Sequence, residues 1–118
     1  MAYLKEINPI VPVGDVIKSA EFFEGVLGFS SKLKESDIAI VCRDNACLRL
    51  VQADGDVGQL SCYIVVDGID DLYNELSDKL LKLPENRVRP PFDQAYGMRE
   101  FHVIDLDSLL IFFGEAIQ

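Results

Sequence analysis

Apolar and polar positions along the chain predict the same succession of elements in both halves. The first half begins with a short apolar strand over residues 7–13, whose prolines suit a sheet edge. A helix follows, in which apolar residues recur at the spacing of one helical face: Val16, Ala20, Phe23 and Leu27. Asp15 is the predicted N-cap of this helix, and Gly28 is predicted to end it in a left-handed conformation.

Three strands are predicted after this helix, and the pattern then restarts. The strands cover residues 29–34, 38–43 and 47–51, and residues 54–59 have the composition of a linker. The second half has a strand at 61–66 and then a helix whose leucines share a face (Leu72, Leu76, Leu80 and Leu83) and which Pro84 stops. A short strand at 87–89, a loop at 90–97 and strands at 98–104 and 109–113 complete it.

The repeat predicts an α+β fold of two βαβββ modules. Segment 11–23 aligns with segment 64–76 without a gap, which places the modules at about 1–53 and 60–118 of a single domain, 1–118. One such module leaves an apolar sheet face uncovered. Two such sheets can cover each other or form a cup, and pairing of two chains can complete it.

The net charge of −9 is concentrated in the second half. Residues 1–53 carry six basic and seven acidic side chains, and residues 54–118 carry five basic and thirteen acidic ones. Such a field repels nucleic acid and anionic membranes and favours a cationic partner, although an acidic surface that only maintains solubility explains it equally well. The opening MAYLKEINPI does not resemble a secretory signal, so we expect a cytoplasmic protein.

The odd number of cysteines predicts reduced, buried thiols. Cys42, Cys47 and Cys62 include no CxxC pair, and their spacing with His102 fits no zinc pattern.

Two segments carry a resemblance to a known family. INPIVPVGDVIKSAEFFEGVLGF (residues 7–29) and GMREFHVIDLDSLLIFFGEAI (residues 97–117) resemble the opening and closing segments of the glyoxalase/bleomycin resistance protein/dioxygenase (vicinal oxygen chelate) superfamily. Within it the chain is most similar to the bleomycin resistance proteins. The turn at residues 105–109 lacks the family's usual proline, glycine and asparagine.

The resemblance implies four positions at which metalloenzymes of the superfamily hold a divalent metal. They fall at Asn8, Arg49, Ser61 and Phe112, and none of these is a good ligand. We therefore expect no metal, no cofactor and no catalytic residue. A glyoxalase- or dioxygenase-like metalloenzyme with atypical ligands, which Glu100 and His102 would support, remains the alternative.

A cleft without a metal is expected to bind a small molecule. The resemblance implies two curled mixed sheets that form a cleft, in a homodimer that sequesters a planar or cationic antibiotic. The residues predicted to line the cleft or its rim are Asn8, Cys47, Arg49, Ser61, Tyr63, Phe92, Gln94, Tyr96, Met98, Glu100, His102, Leu110 and Phe112. Glu100 is a candidate partner for Arg49. A cleft filled by its own side chains, as in an interaction module, is the other possibility.

Overall fold

The predicted repeat of strand, helix and three strands is confirmed. The structure, a computed structural model, describes residues 1–118. The first module consists of β1 (Ile10–Val13), α1 (Val16–Gly25), β2 (Ser30–Lys34), β3 (Ile38–Arg43) and β4 (Ala46–Gln52). The second consists of β5 (Leu60–Val65), α2 (Ile69–Leu80), a 3₁₀ turn (Glu85–Arg87), β6 (Val88–Asp93), β7 (Met98–Ile104) and β8 (Leu109–Ala116). Neither α1 nor α2 is long and apolar enough to span a membrane.

Each module forms one four-stranded mixed sheet. The strand orders are β1-β4-β3-β2 and β5-β8-β7-β6, so the two sheets repeat one topology. The first and last strands of each module pair in parallel, and the other neighbours are antiparallel. The last strand of each module therefore runs through the middle of its sheet, next to the first.

Each helix covers only one face of its own sheet. Val16, Ala20 and Phe23 of α1 are buried, as are Leu76 and Leu80 of α2, and all five belong to one core that both modules share. Because α1 packs on β2, β3 and β4 and α2 packs on β6, β7 and β8, the opposite face of each sheet receives no helix. We call these uncovered faces the first open face and the second open face.

Local chemistry explains where the helices begin and end. The Asp15 carboxylate accepts a hydrogen bond from the backbone N–H of Lys18 at 3.1 Å, which confirms the predicted N-cap. Gly28 has a φ of 75°, as predicted, although α1 already ends at Gly25. At α2 the cap comes from a distant residue, since the Glu115 carboxylate accepts from the backbone N–H groups of Gly68 and Ile69 at 2.9 and 3.1 Å. These bonds lower the pKa of Glu115.

Two predictions about local structure are wrong. The loop predicted at 90–97 starts as a strand, because β6 continues to Asp93 through a bulge between Arg89 and Phe92 that accommodates two prolines on the sheet edge. The cysteines are not all reduced, since Cys42 and Cys47 face each other in the β3–β4 hairpin with a Cα–Cα distance of 4.1 Å and form a disulfide. Cys62 is the free thiol.

Candidate ligand-binding site

The second open face collects most of the predicted site residues. Alternation along the central strands brings Glu100 and His102 of β7 to the same side as Phe112 and Gly114 of β8, and Tyr63 of β5 joins them from the sheet edge. Phe101, Val103, Ile111 and Phe113 point the other way, into the core beneath α2. The sheet therefore separates a polar and aromatic face from an apolar one.

Glu100 lies at the centre of this face and is fully buried. Its Oε2 accepts hydrogen bonds from the hydroxyls of Tyr63 and Tyr96 at 2.7 and 2.6 Å. Its Oε1 accepts from Nε2 of Gln94 at 3.0 Å and lies 2.8 Å from Nε2 of His102. Because four donors surround one carboxylate, its lone pairs are occupied and it holds the side chains around it in place.

The hydrogen bonds decide the charge of this group. Burial alone raises the pKa of Glu100, but the bonds from Tyr96, His102, Gln94 and Tyr63 outweigh that effect and lower the pKa to about 2. Burial and its hydrogen bond to Glu100 raise the pKa of Tyr63. Tyr96 has its own hydrogen bond to Glu100, which raises the pKa of Tyr96. At neutral pH the face therefore holds one buried negative charge beneath two phenols that remain donors.

A row of rings crosses the face from one edge of the sheet to the other. Tyr63 stacks on Phe112 with ring centroids 5.8 Å apart, Phe112 lies 4.3 Å from His102, and His102 meets the edge of Phe92 at 5.1 Å. The Arg89 guanidinium lies 3.5 Å over the Phe92 ring. We call these four rings the aromatic row. Since it spans four strands about 4.8 Å apart, it is roughly 14 Å long.

Gly114 makes room for Tyr63. A Cβ built on Gly114 would overlap the phenol of Tyr63, with its Cζ only 2.6 Å away. The Tyr63 ring therefore lies directly over the backbone of β8, where its hydroxyl reaches Glu100. Sequence reasoning missed both Gly114 and Arg89. Gly114 comes directly after the strand predicted at 109–113, where a glycine indicates the end of a strand, and Arg89 has no signal beyond its place before two prolines.

Other predicted residues lie outside this cluster. Met98 shares the face of Glu100 at the end of β7. Ser61 and Leu110 line a separate hollow of about 470 Å³ at the other end of the sheet. Arg49 lies on β4 of the first sheet and Asn8 in the segment just before β1, and Nε of Arg49 donates to Oδ1 of Asn8 at 3.3 Å. The candidate contact between Arg49 and Glu100 is not formed within the chain, since all four donors to Glu100 belong to the second module.

A cavity of about 710 Å³ lies between the modules, and it is not the site described above. Of the predicted residues only Cys47 and Tyr63 line it. Its apolar lining combines side chains on the core side of the second sheet, including Cys62, Ile64 and Phe113, with Leu27, Phe29 and Leu48 of the first module. Burial and the nearby Asp105 raise the pKa of Cys62 to about 11, so the thiol stays protonated. The Glu100 cluster lies on the opposite side of the sheet.

The four positions that correspond to metal ligands do not fit a metal. Phe112 has no lone pair and lies between Tyr63 and His102, while Arg49 is a permanent cation. No three histidine, cysteine, aspartate or glutamate side chains come together in an arrangement that could hold a metal ion. The Glu100 carboxylate already accepts four hydrogen bonds, which makes it a poor base as well as a poor ligand.

Solved structures with the same fold cover nearly the whole chain. The bleomycin-binding protein from bleomycin-producing Streptomyces verticillus, complexed with copper(II)-bleomycin, superposes with a TM-score of 0.84 at 22% identity and covers 100% of both chains. A bleomycin resistance determinant encoded on the transposon Tn5 gives 0.82 at 20% identity, covering 96% of this chain and 98% of that one. A glyoxalase-related enzyme from Clostridium phytofermentans gives 0.78 at 19% identity, with 98% of each chain covered.

Comparison with known sequences identifies the family to which the chain belongs. No family model matches the chain. Bleomycin resistance proteins from Geobacillus stearothermophilus and Staphylococcus aureus are each 30% identical to it. The alignment, 129 positions long, covers 93% of this chain and 96% of the relative. The arrangement of the sheets and this similarity along nearly the whole length agree, and the chain belongs to the bleomycin resistance proteins.

Proposed function

We propose that this protein binds a planar, cationic antibiotic of the bleomycin type and sequesters it chemically unchanged. The observation that carries the proposal is the buried, ionised Glu100 beneath the aromatic row. Flat rings of a ligand stack on such a row, and a fixed negative charge beneath it favours a cation. The acidic side chains of residues 54–118 add to the same field.

The proposed contacts are the exposed edges of the cluster. Tyr63 and Tyr96 are 41% and 62% exposed, so both present ring surface to a ligand although their hydroxyls are bound to Glu100. Phe92, His102 and Phe112 supply the rest of the row. Glu100 holds the Tyr63, Tyr96 and His102 rings in place, and Gln94 supports Glu100. Similar proteins bear the name bleomycin resistance protein, and a structure of a bleomycin-binding protein contains bleomycin, which supports this ligand class.

A second copy of the chain is part of the proposal. The first open face presents Ile10, which is 66% exposed, and the preceding segment presents Tyr3, Leu4 and Ile7, each at least 85% exposed. Apolar surface of this extent favours association with another chain. A homodimer would place one chain's first open face opposite the other's second open face. The cytoplasmic location expected from the N-terminal sequence belongs to the same proposal.

Calorimetric titration of the purified protein with bleomycin tests the function. Wild-type protein is expected to bind, and Phe112→Leu is expected to bind about three- to tenfold more weakly, because it removes a ring from the middle of the row. Tyr73→Leu is the matched control, since Tyr73 contacts Phe101 on the opposite side of the same sheet. Absence of binding by the wild type, or equal losses in the two variants, would contradict the proposal.

A further inference from the structure

Arg49 lies in an apolar environment on the first open face. Its strand neighbours in register are Ile10 of β1 and Ile40 of β3, and Val51 follows two residues later on the same face. Arg49 is partly buried among them. A guanidinium in such surroundings costs free energy unless an acceptor pairs with it.

Arg49 differs from the other arginines because it has no ion pair, no backbone acceptor and no aromatic ring beneath its guanidinium. Arg43 pairs with Glu75 at 2.8 Å, and Arg99 pairs with Asp70 and Asp93 at 3.1 and 3.0 Å. Arg87 donates to two backbone carbonyls, and Arg89 lies on the Phe92 ring. Arg49 forms no ion pair, and its hydrogen bond goes from Nε to Asn8, so its two terminal NH₂ groups remain available.

Asn8 places a second unpaired donor beside this guanidinium. Its Nδ2 is buried and has no hydrogen-bond partner. The orientation of the amide follows from its neighbour: Arg49 can only donate, so Oδ1 must face it and Nδ2 must be the free group. The backbone N–H of Arg49 donates to the carbonyl of Pro9 at 2.9 Å, which fixes the two residues side by side.

We propose that Arg49 and Asn8 bind an oxyanion of the ligand, most simply a carboxylate. The planar guanidinium can present two parallel N–H groups to a carboxylate, and Nδ2 of Asn8 adds a third donor. This inference rests on the proposed function, because the oxyanion belongs to the molecule that stacks on the aromatic row across the cleft of the dimer. The ligand class is then a flat aromatic cation that also carries an oxyanion.

A matched pair of dyes tests this site. The probes are a planar xanthene cation with a free carboxylate and the methyl ester of the same dye, and fluorescence anisotropy measures their affinities for the full-length protein. Wild-type protein is expected to bind the carboxylate form about tenfold more tightly than the ester, as for a charge-assisted pair. Arg49→Met is expected to abolish this preference, and Arg49→Lys and Asn8→Ala are expected to reduce it.

Lys32→Met is the control for net charge, because Lys32 is an exposed cation on β2 of the same sheet and is expected to leave the preference unchanged. Equal binding of both dyes by wild-type protein would overturn the inference and leave the proposed function standing. A preference that survives in Arg49→Met would overturn it too, and so would an undiminished preference in Asn8→Ala if the methionine variant fails to fold. If neither dye binds while bleomycin does, the inference fails and the proposed function stands; if bleomycin does not bind either, both fail.

Discussion

Glu100 shows how one buried charge can organise the side chains of a whole sheet face. A carboxylate at full burial is costly, and here four hydrogen bonds offset that cost. The donors come from β5, β7 and the turn after β6, so the charge ties three parts of the module to one point. Since these bonds fix Tyr63 and Tyr96, both would receive the proposed ligand without reordering.

Glu100→Gln is expected to destabilise the fold in a pH-dependent way. The pKa of Glu100 falls from 4.5 to about 2 on folding, so its charge stabilises the native state above pH 4.5 and this contribution is lost as the pH falls toward 2. The contribution is on the order of 3 kcal/mol. Urea unfolding of wild-type and variant protein between pH 7 and pH 2 measures it. The gap should be largest at pH 7 and narrow in acid, and a constant gap would argue against this role.

Gly114→Ala is expected to displace the Tyr63 ring. The added Cβ would overlap the phenol, so Tyr63 must leave the aromatic row, and bleomycin affinity should fall about three- to tenfold. Gly25→Ala is the control, because nothing lies within 4 Å of a Cβ there. Combining Gly114→Ala with Tyr63→Leu should add little to either change alone. Additive losses by calorimetry would show that the glycine acts in another way.

Alternation along strands was enough to predict which single residues share the second open face. Tyr63, Glu100, His102 and Phe112 follow from the period of two in β5, β7 and β8. The hydrogen bonds to Glu100 could not be predicted. They depend on the register between strands and on the turn after β6, which brings Gln94 and Tyr96 next to Glu100. For the same reason, the pairing of Cys42 with Cys47 was missed.

At the scale of elements, the start of a helix could be predicted only where the capping residue lies next to the helix in the sequence. Asp15 caps α1 from the adjacent position, which a sequence shows. Glu115 caps α2 from more than forty residues away, at the end of β8, which only the folded sheet reveals. The strands β6 and β8 extend past their predicted ends because pairing with β7 continues there.

Glu115→Ala is expected to weaken α2 and its attachment to β8. Two backbone N–H groups at the start of the helix would lose their acceptor, so the midpoint of thermal unfolding should fall by roughly a few degrees. Glu85→Ala provides the control, since Glu85 is an exposed acid whose side chain makes no hydrogen bond or ion pair. Circular dichroism measures the midpoint. A midpoint for Glu115→Ala that matches the control would show that the long-range cap is dispensable.

At the scale of the whole molecule, the repeat of two modules was readable because each half carries its own periodicity. The boundary at residues 54–59 stays a prediction. The uncovered faces of the two sheets were expected from the modular pattern, and the structure locates their apolar residues. The way in which two copies meet could not be predicted, because it depends on the two open faces, which pack against no other element of the chain.

Pairing of chains is expected in solution. Sedimentation velocity should give twice the mass of one 13.2 kDa chain, and Ile10→Lys, which puts a charge on the first open face, should give single chains with unchanged circular dichroism. A wild-type protein that sediments as single chains at concentrations at which it binds bleomycin would contradict the dimer.

The proposed function requires that the ligand sit on the second open face rather than in the cavity between the modules. Amide chemical shifts of isotopically labelled protein, recorded during titration with bleomycin, test this requirement most directly. The largest changes are expected in β7 and β8 around Glu100, His102 and Phe112, with bleomycin recovered unaltered at the end. Changes confined to α2 and to the cavity around Cys62, or a chemically altered bleomycin, would contradict it.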